Sequence, residues 1–292
     1  MLTPLPQDLH YDPTFLQPKD RAEILAWMET LVPLWEKRYS TRRPPPPGRE
    51  QRSLLRPVYW LGNWQFACLD YYRPPRGTHH RCVEAEPFPE VLARLVRKME
   101  QVARRMYRGP SMPPKWHLNT CLVNLYGKRL VGGKWEDSAR VGEHKDFEPG
   151  PVASLSLGER ALFQFVDSAG GGERSRVVFQ QWLDDSSLQI FGGDRWKSHC
   201  FHRVQRVERS SPGDGSLPPA VDGFVTRRIN FTFRYVPDEH IFPFAKLPTG
   251  VQQDIAEYMG KLSESSPFFA RQSSRSSRSS NNPGRVSAPS RK

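Results

Sequence analysis

The chain has 292 residues and a formal net charge of +12, so it is long enough for one large domain or two small ones. Hydrophobic residues make up 37% and charged residues 25%, and no apolar run reaches the roughly 18 residues of a membrane span. The four cysteines lack CxxC spacing and the chain lacks a secretory signal, which argues against a disulfide framework or a zinc ribbon. We therefore expect an intracellular protein without a membrane partner, cytoplasmic, or nuclear if its host is a eukaryote.

The first part of the chain, residues 1–115, is predicted to hold two helices around a proline-rich linker. Apolar residues recur at helical spacing over residues 18–37, where Pro33 could end the helix early, and again over residues 87–107. Between them lie the linker, residues 41–56, and the aromatic stretch PVYWLGNWQFACLDYY. The core of the fold is therefore predicted to begin after this part.

From residue 116 onward the hydrophobic period changes to two. Short strand-like runs follow one another, with Gly, Asp and Ser clusters between them. Many short strands without intervening helices predict an antiparallel sandwich or barrel, and a jelly roll, or double-stranded β-helix, can close that many strands. The predicted fold class is mainly β with flanking helices, an α+β arrangement whose jelly-roll core occupies residues 116–240.

The C-terminal end is predicted to be a helix within residues 241–263, followed by a disordered tail over residues 264–292. This tail is rich in Ser and Arg, and residues 271–292 carry six basic side chains and no acid. A basic body with a basic tail favours a polyanionic partner, most commonly nucleic acid. A solvated basic surface is the alternative interpretation.

The stretch VGEHKDFEPG suggests a metal site. His144 and Asp146 are two residues apart, so on an extended backbone both side chains face the same side and could bind one cation. Two histidines and one carboxylate form the facial triad of non-heme Fe(II) oxygenases. The third ligand could be His199 or His202 in SHCFHRVQRV, and strand parity alone does not choose between them.

The stretch RRINFTFRYV alternates as a strand. Ile229, Phe231 and Phe233 point one way, and a polar row points the other way. That polar row consists of Arg228, Asn230, Thr232 and Arg234. It either faces water or lines a pocket that holds an anion.

These motifs together resemble the AlkB family of Fe(II)/2-oxoglutarate-dependent nucleic-acid dealkylases. RINFTFR resembles the family's RxNxTFR signature, and NLY resembles its NxY strand. SLSLGERALFQF resembles its SxSLG–FxF hairpin, and GGDRWKSHCFHRV resembles its GG loop and aromatic–His pair. The last alignment selects His202 over His199, and the resemblance covers roughly residues 116–236.

The resemblance implies a role for each matched residue and a cofactor set. His144, Asp146 and His202 would bind Fe(II), with 2-oxoglutarate and O₂ as cosubstrates. Arg228 would hold the distal carboxylate of 2-oxoglutarate through a bidentate guanidinium contact. The rest of that pocket would be Asn124, Tyr126, Asn230 and Arg234. The implied reaction is oxidative dealkylation of bases such as 1-methyladenine or 3-methylcytosine in DNA or RNA, releasing an aldehyde, in the repair of alkylation damage.

The residues that would contact the base are less well marked. Glu148 matches an acidic position that faces the damaged base in this family, with a surface glutamate as the alternative. A flipped base also needs flat side chains around it, and Trp60 and Trp64 are candidates in a nucleotide-recognition lid. Further candidates in the same stretch are Arg56, Tyr71, Tyr72, Arg73 and Arg76.

One segment departs from the family pattern. Residues 127–143 are longer than the family usually allows and place Lys128, Arg129, Lys134, Trp135 and Arg140 beside the expected mouth of the site. Because fold and cosubstrate do not fix the substrate, an oxygenase acting on a protein or a small molecule is the alternative function, and a nonenzymatic nucleic-acid-binding jelly roll is a third. We expect a monomer.

Overall fold

A computed structural model describes residues 5–41, 43–66, 82–138, 140–167, 175–205 and 216–280. The helices of this part are α1 (Pro18–Met28), α2 (Glu90–Met106), α3 (Thr249–Ser265) and α4 (Pro267–Ser280). The strands are β1 (Leu9–Asp12), β2 (Val58–Leu61), β3 (Asn63–Trp64), β4 (Cys82–Glu84), β5 (Thr120–Val131), β6 (Lys134–Asp137), β7 (Val141–His144), β8 (Val152–Gly158), β9 (Ala161–Asp167), β10 (Arg176–Leu183), β11 (Leu188–Phe191), β12 (Phe201–Gln205), β13 (Phe224–Arg234) and β14 (Ile241–Phe242).

Two antiparallel sheets form the core. The major sheet has the strand order β1-β11-β8-β13-β5-β2, and β6 pairs with the far end of β5. The minor sheet has the order β10-β9-β12-β7, and a small third sheet joins β14, β4 and β3. The prediction of a mainly β fold with a jelly-roll core is confirmed. The major sheet nevertheless includes β1 and β2, which precede residue 116, so the sheet begins earlier in the chain than the sequence predicts.

The two faces of β13 explain the alternation seen in its sequence. Ile229, Phe231 and Phe233 are fully buried in the apolar cluster that the major sheet forms with the helices. Phe88 packs edge-on against Phe233, with ring centroids 5.8 Å apart. The opposite face, with Arg228, looks into the cavity between the two sheets. Arg228, Asn230 and Arg234 are buried and Thr232 is half-buried, so the polar row lines this cavity.

Helix α2 lies on the outer side of the major sheet. Its buried side chains recur at helical spacing and join the same apolar cluster. Helix α1 ends at Met28, well before residue 37, and its last turn is followed by Pro33, which cannot donate a helical hydrogen bond. Within the described residues, no helix is both long and apolar enough to cross a membrane.

The prediction of a disordered tail from residue 264 is wrong at its beginning. Helix α4 continues to Ser280, and Phe269 near its start is only 2% exposed. The ring of Phe269 packs 5.4 Å from that of Trp64, so tertiary packing stabilises a helix that composition alone does not predict. Residues 281–292 lie outside the described residues.

Within the segment 127–143, residues 127–137 belong to a β-hairpin. Strands β5 and β6 pair around Gly132 and Gly133, which have φ values of 56° and 79°. Positive φ at both central residues is the requirement of a type I′ turn, and glycine meets it without steric cost. The hairpin carries its strands beyond the edge of the core, and Trp135 near its tip is 52% exposed.

Candidate metal and cosubstrate site

Three side chains with metal-binding atoms meet in the cavity between the sheets. His144 ends β7, Asp146 follows it, and His202 lies on β12 directly opposite His144 in the strand pairing. Their ligand atoms all lie within 4.8 Å of one another, and His202 Nε2 is 3.3 Å from Asp146 Oδ2. Ligands about 2.1 Å from one ion at right angles would be roughly 3 Å apart, so the spacing fits one cation.

The hydrogen bonds around this cluster leave suitable atoms free to bind the ion. His144 Nδ1 lies 2.8 Å from Gly142 O, and donation to this carbonyl keeps the lone pair on Nε2. Asp146 Oδ1 accepts a bond of 2.7 Å from Arg234 Nε, whereas the buried Oδ2 has no hydrogen-bond partner. A buried carboxylate oxygen without a partner is costly unless a cation binds it.

The protonation states also suit a metal. Burial lowers the pKa of His202 well below its usual value, and the neighbouring His144 lowers it further. Burial likewise lowers the pKa of His144. Burial alone would raise the pKa of Asp146, but Arg234 and other nearby cations outweigh it and hold this pKa below its usual range. The site therefore offers two neutral imidazoles and one carboxylate, the donor set of a non-heme Fe(II) site.

The structure separates the two histidines that strand parity left open. His199 ends a π-helical turn, Arg195–His199, and its exposed ring lies 3.1 Å from Asp194. His202 is buried in the metal cluster. The metal cluster thus contains the histidine that the family alignment selects.

The expected cosubstrate residues lie next to the metal cluster. Arg228 is buried, donates from Nη2 to Ser156 Oγ at 3.0 Å, and lies 5.1 Å from the ring of Tyr126. Its Nε and Nη1 atoms are buried without a hydrogen-bond partner. Asn230 donates to Ser154 Oγ at 2.8 Å. A buried guanidinium with unused N–H donors is suited to bind a carboxylate.

Arg234 lines the cavity with the other expected cosubstrate residues but bonds the metal cluster, and Glu148 does not lie where it was expected. Arg234 bonds the metal-cluster residue Asp146, and its Nε lies 3.6 Å from Glu148 Oε2. Glu148 is only 1% exposed and does not line the cavity. Both predictions for Glu148, a base contact and a surface position, are therefore wrong, because the chain turns its carboxylate inward toward Arg234. The buried Nζ of Lys197 adds a second cation that acts on Glu148 and Asp146, and sequence reasoning missed it.

The prediction that Trp60 and Trp64 stack on a base is also wrong. Both are in the apolar core, at 3% and 1% exposure. Trp60 Nε1 donates to the buried Glu36 at 2.6 Å, and Trp64 packs against Phe66 with ring centroids 3.6 Å apart. Their alternation is that of core strands, and no local signal distinguished this from a lid. The other aromatic and basic candidates, Tyr71, Tyr72, Arg73 and Arg76, lie outside the described residues.

The cavity has a volume of about 700 Å³, within the range of small-molecule sites. Its floor contains the metal cluster and Arg228. Its mouth is lined by three exposed arginines, Arg38, Arg52 and Arg140, together with Leu55, which is 59% exposed. Among the described residues, none of these three arginines pairs with a carboxylate.

The inserted hairpin contributes little to the cavity itself. Of its five predicted mouth residues, only Arg140 lines the cavity. Arg129 instead stacks on Trp35, with its guanidinium 4.3 Å from the ring. The sequence did not mark Arg38 and Arg52 as site residues, because Arg38 lies just before the proline-rich linker, Arg52 lies within it, and neither belongs to a motif.

Comparison with known proteins places the chain in a family. The family model described as the 2OG-Fe(II) oxygenase superfamily matches residues 8–234. The solved structure of OsALKBH1 aligns with 80% of this chain and 100% of its own, at 20% identity and a TM-score of 0.47. YcfD, a ribosomal oxygenase from Escherichia coli in complex with cobalt and succinic acid, aligns with 90% of this chain and 65% of its own, at 11% identity and a TM-score of 0.32.

Neither likeness is close enough to indicate a substrate. A search of curated protein sequences gave no match. The family model, however, spans most of the chain, and the His–Asp–His cluster fits iron. The protein therefore belongs to the 2OG-Fe(II) oxygenase superfamily and is a dioxygenase that uses Fe(II), 2-oxoglutarate and O₂.

Proposed function

We propose that the protein is an AlkB-type dioxygenase that removes alkyl groups from the nitrogen atoms of bases in DNA or RNA, as a step in the repair of alkylation damage. The observation that carries this proposal is a cavity with buried, hydrogen-bonded charges on its floor and exposed cations at its mouth. A metal cluster and a carboxylate-binding arginine lie on its floor, and exposed arginines surround its mouth. The motif resemblance to the AlkB family supports the same conclusion from the sequence.

In this proposal, His144, Asp146 and His202 hold Fe(II). When bound, iron with 2-oxoglutarate and O₂ supplies the oxidation of an N-alkyl carbon, and the hydroxylated product releases an aldehyde. The chain supplies the orientation of the ligands. Arg234 fixes one oxygen of Asp146 and leaves the other for the metal, while the Gly142 carbonyl orients His144.

Arg228 binds the distal carboxylate of 2-oxoglutarate in this proposal. Its guanidinium has two unused donors and is held by Ser156 and Tyr126. Asn230 is held by Ser154 and accepts a bond of 2.7 Å from Thr232, so the wall of the pocket is fixed before the ligand arrives. Because burial lowers the pKa of Arg228 by disfavouring its charged form, a bound carboxylate would offset that cost.

The mouth supports a nucleic-acid substrate. A base inside the cavity leaves its flanking phosphates at the opening, where Arg38, Arg52 and Arg140 can neutralise them. The exposed Leu55 offers an apolar contact beside these cations. In place of the tryptophans, Phe147, a half-buried ring that lines the cavity, is the side chain we propose as a flat partner for the base.

The decisive experiment assembles the protein with Fe(II) and 2-oxoglutarate without oxygen, adds a methylated oligonucleotide, and then admits O₂. Oligonucleotides bearing 1-methyladenine or 3-methylcytosine are supplied as single and double strands. Loss of one methylene unit from the oligonucleotide, with one succinate per event, is the expected result. Succinate formation only with a peptide or a small molecule would overturn the nucleic-acid substrate while leaving the oxygenase chemistry intact.

A further inference from the structure

The inserted hairpin of β5 and β6 presents an apolar surface to solvent. Leu130 is 44% exposed, Val131 42% and Trp135 52%, and Leu130 lies directly opposite Trp135 in the strand pairing. Cross-strand neighbours share one face of a hairpin, so these two side chains form one surface, which we call the Leu130–Trp135 face. A cluster of exposed apolar side chains commonly marks a binding surface.

The Leu130–Trp135 face continues the wall of the cavity. Tyr126 lines the cavity from β5, and Leu130 follows it by four residues on the same strand. Side chains four positions apart in a strand lie on one face, so Leu130 lies on the cavity side, about 13 Å beyond Tyr126 at roughly 3.3 Å per residue. Arg129 lies on the other face, where its guanidinium is 4.3 Å from the ring of Trp35. One face of the hairpin is therefore packed against the protein, and the face that adjoins the cavity is exposed.

The Trp135 ring is open to a flat ligand. Within the described residues, the Trp135 side chain makes no hydrogen bond, ring contact or cation–π contact. Trp182, the other exposed tryptophan, differs because the Arg160 guanidinium lies 4.3 Å from its ring. An exposed aromatic ring next to a nucleic-acid site typically serves as a platform on which a base stacks.

The base of the hairpin leads directly to the mouth of the cavity. The Ser138 amide donates to the Gly127 carbonyl at 2.8 Å and closes the hairpin, and Arg140, two residues later, lines the mouth. The exposed Lys134 lies at the opposite end of the hairpin, next to its turn. The Leu130–Trp135 face therefore lies between a cation at the tip and the cations of the mouth.

The charge and size of this surface favour a strand of nucleic acid over a protein partner. Each acidic side chain of the hairpin lies opposite a basic one, Glu136 opposite Arg129 and Asp137 opposite Lys128, and Lys134 adds positive charge. An apolar surface bordered by cations suits a ligand that combines bases with phosphates. A stable protein interface buries about 800 Å² on each partner, far more than two or three side chains provide.

We propose that the Leu130–Trp135 face binds nucleotides that flank the base held in the cavity, with the Trp135 indole stacked on one of their bases. The partner is single-stranded nucleic acid, because bases inside a duplex are already stacked on one another and unstacking them costs free energy. The inference rests on the proposed function and deepens it by assigning a strand state and a second contact surface. This surface belongs to the segment that departs from the AlkB pattern, so the resemblance does not imply it.

The test compares a methylated oligonucleotide with the free methylated nucleotide. Affinities for a single strand of about ten nucleotides with a central 1-methyladenine, and for 1-methyladenosine monophosphate, are measured by calorimetry on the full chain with Mn²⁺ and 2-oxoglutarate. Trp135→Ala is expected to weaken oligonucleotide binding by about 5- to 150-fold, the fold-change that corresponds to losing one base–aromatic stack. The free nucleotide has no flanking base, so its affinity should not change. Trp135→Phe, which keeps an aromatic ring, should retain most of the affinity.

Two further measurements separate stacking from charge and from strand state. The slope of log affinity against log salt should be the same in Trp135→Ala and the wild type, because the indole carries no charge. A duplex with the same methylated base should lose less affinity than the single strand does, and a larger loss for the duplex would contradict the assignment of strand state. Trp182→Ala, which removes an exposed indole from β10 away from the cavity, should leave every affinity unchanged.

The remaining outcomes separate this inference from the function on which it rests. Equal weakening of the oligonucleotide and the free nucleotide by Trp135→Ala would overturn the inference, because it would indicate a purely structural role. Unchanged oligonucleotide affinity in Trp135→Ala, with dealkylation by the wild type, would overturn it while sparing the proposed function. If Trp135→Ala instead abolished self-association, the face would be an interface between copies of the chain and the inference would be wrong. Neither binding nor dealkylation of any oligonucleotide by the wild type would overturn both.

Discussion

The charged side chains on the floor of the cavity differ from those at its mouth in burial and in pairing. On the floor, Asp146 is buried and bonded to Arg234 at 2.7 Å. At the mouth, Arg38, Arg52 and Arg140 are exposed, and none pairs with a carboxylate of the described chain. The same residue type therefore orients a carboxylate in one region and presents positive charge to solvent in the other.

This difference shows how one cavity can recognise two kinds of anion. Buried, hydrogen-bonded charges are fixed in direction and weakly screened, so they can select a small ligand by its geometry. Exposed charges are screened by salt and mobile, so they attract a polyanion with little regard to its sequence. Changes on the floor should therefore abolish chemistry, and changes at the mouth should alter affinity and its salt dependence.

The largest effect is expected from the metal cluster. His202→Ala removes a metal ligand. Losing an outer-shell partner alone typically costs up to about 100-fold in activity, so turnover should fall by more than that. His199→Ala removes an exposed ring bonded to Asp194 and should retain turnover. Succinate production and Mn²⁺ affinity are the measurements. Equal loss in both variants would contradict the assignment of His202.

A smaller effect is expected from Arg234, which touches Asp146 rather than the metal. Arg234→Gln should lower Mn²⁺ affinity by about 10- to 100-fold. It should also raise the pKa of Asp146, because the main cation that lowers this pKa is lost. Metal affinity of the variant should therefore fall more steeply than that of the wild type as the pH is lowered.

Arg227→Gln provides the matched control. Arg227 lies two residues before Ile229 on β13, the strand that also carries Arg234, and it pairs with Glu159. It should leave Mn²⁺ affinity and its pH dependence unchanged. An identical pH profile in Arg234→Gln and the wild type would show that Arg234 does not set the state of Asp146.

The mouth should respond to salt. Replacing Arg38, Arg52 and Arg140 together by Gln removes three exposed cations. The slope of log affinity against log salt for a single-stranded oligonucleotide should become shallower by about 0.7 per lost phosphate contact. The matched control replaces three exposed arginines on or next to α2, Arg97, Arg105 and Arg108. An equal change in both triple variants would mean that the mouth has no special part in binding.

The smallest effect is expected from the C-terminal end. Deleting residues 281–292 removes three basic side chains, Arg285, Arg291 and Lys292. Oligonucleotide affinity at low salt should fall by about tenfold or less, while Mn²⁺ affinity should not change. Unchanged oligonucleotide affinity would show that this charge is irrelevant to the substrate.

The sequence predicted the floor of the cavity better than its surroundings. The alternation of β13 correctly separates Ile229 from Arg228, because strand geometry fixes which side chains share a face. The tryptophans and Glu148 were misplaced, because an alternating aromatic or an acid near a motif has the same local pattern in a core as in a site. Helix α4 was missed for a similar reason, since Phe269 is buried only by its contact with Trp64.

By itself, the sequence determined the ligand types, their order along the chain and the polar face of β13. These follow from strand periodicity and from motifs whose spacing is local. The family resemblance had already selected His202 where strand parity left His199 open. Only the tertiary structure decided that Arg234 turns to Asp146 and that Trp60 and Trp64 lie in the core. Such contacts join residues far apart in sequence, and they depend on how the two sheets and the helices pack against one another.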